Sequence, residues 1–198
     1  MKKTTRQMNR EAAKKKDTRQ KILYGSLGLV VIAVITTLIL LGAKSTPSPD
    51  LLGDAVAIAS AAHVPEGSDP GPYNSNPPAG GRHYASEFTQ KFYEESDLAS
   101  LPVHPEGYLV HNLEHGYVIF WYNCQKASTD CETLKQTIQS VMDETGNTKL
   151  IAFPWSDMDV PLTMTSWGRI LKFTTPDPEL MKQFVERNRY QAPEPDAS

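Results

Sequence analysis

Tyr108 to Tyr122, YLVHNLEHGYVIFWY, is the segment that decides the fold (the central segment), because it is the most apolar stretch outside residues 22–43. Its second half, YVIFWY at 117–122, is aromatic and β-branched and predicts a buried strand. Its first half, YLVH at 108–111, predicts another strand. The residues between them, NLEHG at 112–116, predict a bend.

The segments around this one predict both helices and strands. Apolar residues recur at helical spacing over residues 130–144, and residues 178–189 predict a last helix. Residues 86–96 predict a short helix. Strands are expected at 149–153 and at 162–173, the latter bent at Gly168. The sequence therefore predicts an α+β fold with a small, mostly antiparallel sheet and two or three helices.

An uncharged apolar run lies near the N-terminus, at residues 22–43. As a helix, 22 residues measure about 33 Å, enough to cross a hydrocarbon core of about 30 Å. Residues 1–21 carry nine of the 20 Lys and Arg residues but only two of the 23 acidic ones. Since positive charge stays in the cytoplasm, we expect a single-pass anchor with a cytoplasmic N-terminus and an extracytoplasmic main domain at the cell membrane. A cleaved signal peptide is the competing interpretation, and the length of the run favours an uncleaved signal-anchor.

These features divide the chain into five parts. We predict a basic cytoplasmic tail at residues 1–21 and a transmembrane helix at 22–43. Residues 44–50 are a Pro/Ser-rich linker, 51–190 a globular domain, and 191–198 a disordered tail.

Charge argues against nucleic-acid binding. Beyond residue 21 the chain has 11 basic and 21 acidic residues. The basic cluster lies directly beside the apolar run, so we assign it to the membrane and expect no nucleic-acid partner.

Cys124 and Cys131 are the two cysteines of the chain. Outside the cytoplasm, such a pair predicts a disulfide bond that closes a small loop. Free thiols or metal-binding thiolates are the alternatives.

Histidines mark the two most distinctive segments of the domain. His63 and His83 flank a loop with five prolines and four glycines, and His111 and His115 bracket the sequence H-N-L-E-H. Imidazole is a common ligand of zinc and copper, and four imidazoles are enough for a metal site. We therefore predict His63, His83, His111 and His115 as ligands of copper or zinc. A purely structural role for these histidines is the alternative.

Three further residues refine this hypothesis. Met158 and Met164 would favour copper if they joined the site, although core filling is the more frequent role of methionine. Glu114 completes an H-x-x-E-H pattern, in which a zinc hydrolase uses the glutamate as general base. That pattern requires a helix, whereas the central segment predicts strand.

The same segments resemble a known family, the domain-of-unknown-function family numbered 3105, whose members are membrane-anchored. The resemblance rests on H-V-P-E-G at 63–67, Y-N-S-N-P-P-A-G-G-R-H-Y at 73–84, V-H-N-L-E-H-G at 110–116 and S-W-G-R at 166–169. Ala79 departs from the serine that the family pattern has there. The resemblance implies a compact domain over residues 60–175 with the four histidines at matching positions, and it implies no activity.

Three functions follow as hypotheses. The first is a membrane-anchored extracytoplasmic domain that binds a transition metal. The second is a non-enzymatic module that docks an unidentified protein partner through its rigid Pro/Gly loop. The third is a metal-dependent hydrolase with Glu114 as base.

Overall fold

The second half of the central segment lies inside a sheet. Within residues 50–128 and 130–197, which the computed structural model describes, the sheet has five strands in the order β1-β5-β4-β2-β3. They are β1 (Asp54–Ala55), β2 (Val118–Tyr122), β3 (Leu150–Pro154), β4 (Leu162–Ser166) and β5 (Arg169–Phe173). Neighbouring strands pair antiparallel except β2 and β3, which are parallel.

Three α-helices lie in the same described ranges: α1 (Pro105–Glu114), α2 (Cys131–Glu144) and α3 (Pro178–Asn188). α2 connects the parallel strands β2 and β3, which cannot be joined by a tight turn. Its N-cap, Asp130, accepts a hydrogen bond from the Thr133 amide, and Asp177 caps α3 in the same way. The prediction of an α+β fold with a few helices is confirmed.

β2 is buried on both faces because helices cover both sides of the sheet. Its odd and even positions face opposite sides. Phe120 belongs to the core beneath α2 and α3, whereas Ile119 and Trp121 belong to the core beneath α1. This arrangement explains why the strand is a continuous apolar run rather than an alternating one.

The first half of the central segment is helix α1, so the prediction of a strand and a bend was wrong. Pro105 occupies the first helical turn, where its fixed φ favours a helix. The helix ends at Glu114 with His115 as its C-cap, and Gly116 follows with φ +82°. The Gly116 amide donates to Leu113 O and the Tyr117 amide to Asn112 O, which is a Schellman motif. Leu109 to Glu114 are all buried, so the helix shows no polar face that would reveal it in the sequence.

Two neighbouring predictions also need correction. Residues 86–96 are not an α-helix: Phe92 forms an isolated bridge with Ala152 on the edge strand β3, and only Glu95–Ser100 form a 3-10 helix. The predicted strand 162–173 is a hairpin of β4 and β5 that turns at Gly168, where φ is +71°. Glycine adopts this φ without steric cost, so a turn replaces the expected bend.

Near the C-terminus the structure describes residues up to 197, whereas the predicted membrane span near the N-terminus, 22–43, is not among the described residues. Within the described ranges no helix is both long and apolar enough to cross a membrane. Residues 191–197, expected to be disordered, make hydrogen bonds in the structure. Lys149 Nζ donates to Pro195 O and Ala197 O, and the Glu194 amide donates to Glu114 O. The backbone groups of this segment thus find partners on the domain.

The expected pairing of the cysteines is confirmed, since the sulfur atoms of Cys124 and Cys131 lie at bonding distance. The disulfide links the end of β2 to the first residue of α2. Because both sulfurs are engaged in this bond, they do not serve as metal thiolates in this structure.

Candidate metal centre

The Pro/Gly loop is closed by its two flanking histidines. His63 and His83 form an isolated parallel bridge, in which the Val64 amide donates to His83 O at 2.7 Å. The next residue, Tyr84, donates its amide to Gly107 O in the first turns of α1. The loop ends are therefore fixed to each other and to the helix.

α1 supplies the other side of the cluster. His111 and Glu114 are three residues apart and therefore lie on the same face of the helix. Asn112 holds this helix against residues 84–93, because its Oδ1 accepts from the Phe88 amide at 3.0 Å and its Nδ2 donates to Phe88 O at 2.9 Å. The position of the helix relative to the loop is thus set by buried hydrogen bonds.

Four side chains converge between the loop and the helix: His63, His83, His111 and Glu114 (the His3Glu cluster). One ligand atom from each lies within 4.8 Å of all the others. Glu114 Oε2 is 2.9 Å from His83 Nε2, 3.7 Å from His63 Nε2 and 3.9 Å from His111 Nδ1.

The contact between His83 and Glu114 requires a positive charge. His83 Nδ1 lies 2.8 Å from Gly81 O, and a carbonyl oxygen only accepts, so Nδ1 carries the hydrogen. In the neutral ring, Nε2 then has a lone pair that points at the Glu114 carboxylate 2.9 Å away. Two lone pairs at this distance repel unless a proton or a metal ion lies between them. The loop carbonyl thereby selects the tautomer in which Nε2 is a ligand.

His111 contributes an unsatisfied nitrogen. Its Nδ1 is buried and has no hydrogen-bond partner. Burial, followed by the proximity of His115, His83 and His63, lowers the pKa of His111 to about 4. The imidazole is therefore neutral near pH 7, and in the tautomer that carries its hydrogen on Nε2 the buried Nδ1 offers a lone pair to a cation.

His115 lies outside the His3Glu cluster, although its ring centroid is only 4.3 Å from that of His111. Its Nδ1 is 3.1 Å from Glu87 Oε2, and its Nε2 is 3.7 Å from Glu194 Oε2. Both ring nitrogens thus face carboxylates. The fifth histidine, His104, is at the N-cap of α1 and contacts Glu106.

The group of side chains that converge in the structure consequently differs at one position from the four histidines predicted from the sequence. Three of them converge, and Glu114 takes the fourth place. The spacing of His111 and Glu114 would have indicated this if the segment had been recognised as a helix. The helix that an H-x-x-E-H hydrolase needs is present, but its two histidines do not converge on one site. Met158 and Met164 are core residues.

Comparison with known proteins identifies a family. Residues 65–198 match the family described as "Protein of unknown function (DUF3105)". The matched region contains His83, His111 and Glu114, and it begins two residues after His63. Neither the curated proteins nor the solved structures include a significant match to the chain. Because the match covers more than half of the chain, the protein belongs to the DUF3105 family.

Proposed function

We propose that the domain binds a divalent transition metal, zinc or copper, through His63, His83, His111 and Glu114. The observation that carries this proposal is the convergence of four potential ligand atoms within 4.8 Å of one another. Two further features support it: the buried, unpartnered Nδ1 of His111, and the 2.9 Å approach of His83 Nε2 to the Glu114 carboxylate, which needs a proton or a metal ion between the two atoms. A bound cation would satisfy both.

The spacing of the ligand atoms fits a small first-row ion. Ligands about 2.0–2.1 Å from zinc in a tetrahedral site are separated by about 3.3 Å. The separations from Glu114 Oε2 to the three imidazoles range from 2.9 to 3.9 Å, which is close to that spacing, and all four ligand atoms lie within 4.8 Å of one another, so the side chains would close in around a bound ion to complete such a site. Three imidazoles and a carboxylate suit Zn²⁺ or Cu²⁺, whereas Cu⁺ prefers the sulfur ligands that this cluster lacks.

The cluster also has an entrance. The side chain of His63 is 51% exposed, whereas those of His83, His111 and Glu114 are at most 9% exposed. An ion would therefore arrive on the His63 side and be held by three buried groups that folding has already positioned. We expect His63 to contribute least to affinity, because holding an exposed side chain in place costs conformational entropy.

Metal binding is tested with the purified full-length protein after removal of metal by a chelator. Zinc or copper is titrated calorimetrically, and elemental mass spectrometry measures the metal retained after gel filtration. We expect one ion per chain, and a loss of affinity of at least about 100-fold in Glu114→Gln and His83→Gln, since even outer-shell changes cost 10–100-fold.

Two histidine variants serve as matched controls. His104→Gln removes the imidazole at the N-cap of α1, and His115→Gln removes the one at its C-cap. Neither residue belongs to the His3Glu cluster. Both are expected to retain the ion. If His115→Gln abolishes binding and Glu114→Gln does not, this ligand set is wrong. A protein that binds neither ion, yet unfolds more easily in the His83 variant, would favour the structural role of the histidines.

We also propose that residues 22–43 anchor the protein in the membrane with the domain outside the cytoplasm. The support is the uncharged 22-residue run with its basic flank. Alkaline carbonate extraction tests the anchor, and protease added to intact cells tests the orientation. Release of the protein by carbonate, or protection of the domain from protease, would contradict the respective part of this proposal.

A further inference from the structure

A second concave surface lies at the carboxyl end of the parallel strands β2 and β3. It is a cavity of about 310 Å³ whose walls are mainly apolar, with Tyr122, Phe153 and Trp155 among them. Leu98, a lining residue from the 3-10 helix, is 42% exposed. The carboxyl ends of parallel strands are where open α/β sheets place their ligand sites.

The disulfide lies at this cavity. Cys124, which follows β2, lines its wall, and both cysteines are partly exposed to solvent. The pair also stands in a βαβ unit formed by β2, α2 and β3. In redox proteins, a cysteine pair beside such a unit carries the chemistry, although the usual spacing is C-x-x-C.

The two sulfurs differ in their electrostatic surroundings. Cys131 is the first residue of the 14-residue helix α2, whose N-terminus stabilises a thiolate. Cys124 Sγ lies 2.9 Å from the carboxylate of Glu95, which is also within 4.8 Å of Cys131 Sγ, so the helix N-terminus is the feature that distinguishes the two sulfurs. Cys131 is thus the better leaving group, and Cys124 is the sulfur that faces a bound molecule.

We propose that Cys124–Cys131 is an exchangeable disulfide that oxidises cysteine-containing peptides bound through apolar side chains in this cavity. A substrate thiolate attacks Cys124 Sγ, the Cys124–Cys131 bond breaks, and Cys131 leaves as a thiolate. The second thiol of the substrate, after losing its proton, attacks the substrate sulfur of the mixed disulfide and releases Cys124. Two electrons and two protons pass from the substrate dithiol to the protein disulfide.

The first test uses the wild-type, full-length protein without denaturant, with a chelator in all buffers. The protein is incubated with an excess of reduced glutathione, and its free thiols are alkylated and counted by mass spectrometry. We expect most of the protein to become reduced while it remains folded. A disulfide that resists glutathione until the protein is unfolded would be structural and would overturn the proposal.

The second test identifies the attacked sulfur. The oxidised protein reacts with a pentapeptide that has one cysteine between two leucines, the reaction is stopped with an alkylating agent, and both cysteines are mapped. The peptide is expected on Cys124 and the alkyl group on Cys131, with a preference of about tenfold or more, because the helix N-terminus stabilises Cys131 as the leaving thiolate. Equal or reversed labelling would contradict the assigned roles.

The third test separates the cavity from the disulfide. Leu98→Ser removes an exposed apolar side chain from the cavity wall, and Val103→Ser removes one that is 71% exposed and does not line it. We expect the peptide to react about fivefold more slowly with the Leu98 variant and unchanged with the Val103 variant, since burial of a leucine favours binding by about this factor or more. Glutathione should react equally with both. Equal peptide rates would exclude docking in the cavity.

Discussion

Gly116 and Gly146 provide a matched pair of substitutions. Each follows a helix as the left-handed residue of a Schellman motif, with φ +82° after α1 and +89° after α2. Their surroundings differ. A Cβ added at Gly146 would meet nothing within 4 Å, whereas a Cβ at Gly116 would lie 2.8 Å from Tyr190 Cα and 3.2 Å from Tyr190 N. The neighbour at Gly116 is backbone and cannot rotate away.

Two effects lower the stability of these variants, the left-handed backbone conformation and the steric overlap of the new Cβ, and each can be estimated separately. An alanine in the left-handed region costs about 1–2 kcal/mol, and this applies to both positions. Overpacking against a neighbour costs a further 1–3 kcal/mol or so, and this applies only to Gly116→Ala. We therefore expect the free energy of unfolding to fall by about 1–2 kcal/mol in Gly146→Ala and by about 2–5 kcal/mol in Gly116→Ala.

Urea unfolding measures this difference, with tryptophan fluorescence as the signal, since the chain has three tryptophans. Limited proteolysis gives a second readout. The Tyr190 amide donates to Gly116 O, so Gly116→Ala should displace the C-terminal segment and expose it to cleavage, whereas Gly146→Ala should not. Equal costs in urea, or a C-terminal segment equally resistant in both variants, would refute the idea that residues 190–197 pack on the end of α1.

Three further predictions follow from the same region. In metal-free protein, the lowered pKa of His111 means that the unfolded state binds more protons than the folded state between about pH 4 and 6.5, so the contribution of His111 to stability is full above pH 6.5 and is lost towards pH 4. Urea unfolding of His111→Gln at several pH values should therefore show a flatter dependence of stability on pH than the wild type. An unchanged dependence would argue against a buried neutral imidazole. Asn112→Ala leaves the amide and carbonyl of Phe88 without partners and should cost about 2–4 kcal/mol by the same assay, with a cost below about 1 kcal/mol contradicting the hydrogen bonds. Gly107→Ala places a Cβ 2.5 Å from the fully buried ring of Tyr84 and should cost about 1–3 kcal/mol, unless the tyrosine moves, which a crystal structure of the variant would show.

Strands β2 and β3 and helices α2 and α3 could be predicted because their sequences agree with their surroundings. α2 alternates buried and exposed residues at helical spacing, and Asp130 caps it. The aromatic and β-branched composition of β2 identifies it as a buried strand. In these elements, local propensity and tertiary environment favour the same structure, so the sequence alone is sufficient.

α1 could not be recognised from periodicity, because the helix is buried on nearly every side. Leu109 to Glu114 pack against the sheet, the Pro/Gly loop and the C-terminal segment, so apolar residues do not concentrate on one face. The signals that remain are the residues that mark the ends of the helix. Pro105 is its first residue, and Gly116 follows its C-cap. These two residues, given more weight than the β-branched composition between them, would have predicted the helix.

The misread helix also explains why the predicted ligands and the His3Glu cluster differ at one position. On an extended chain, residues three apart point to opposite faces, so Glu114 would not have shared a site with His111. On a helix they are neighbours, while His115 is turned by a further 100° or so. That rotation carries the His115 ring towards Glu87. One incorrect secondary-structure prediction thus accounts for the difference between His115, predicted from the sequence, and Glu114, found in the cluster.

The length of α1 makes the metal and disulfide proposals independent. Pro105, at the start of the helix, lines the cavity beside Cys124, and Glu114, at its end, belongs to the His3Glu cluster. Ten helical residues measure about 15 Å, far beyond the roughly 2 Å reach of a metal–ligand bond or of a sulfur–sulfur bond. An ion in the cluster therefore cannot be ligated by the cysteines, whether oxidised or reduced. Removing the metal should leave the rate of disulfide exchange unchanged, and reducing the disulfide should leave metal affinity unchanged. A strong dependence of either property on the other would require a movement of α1 against the sheet, for which the buried contacts of Leu109 and Leu113 leave little room.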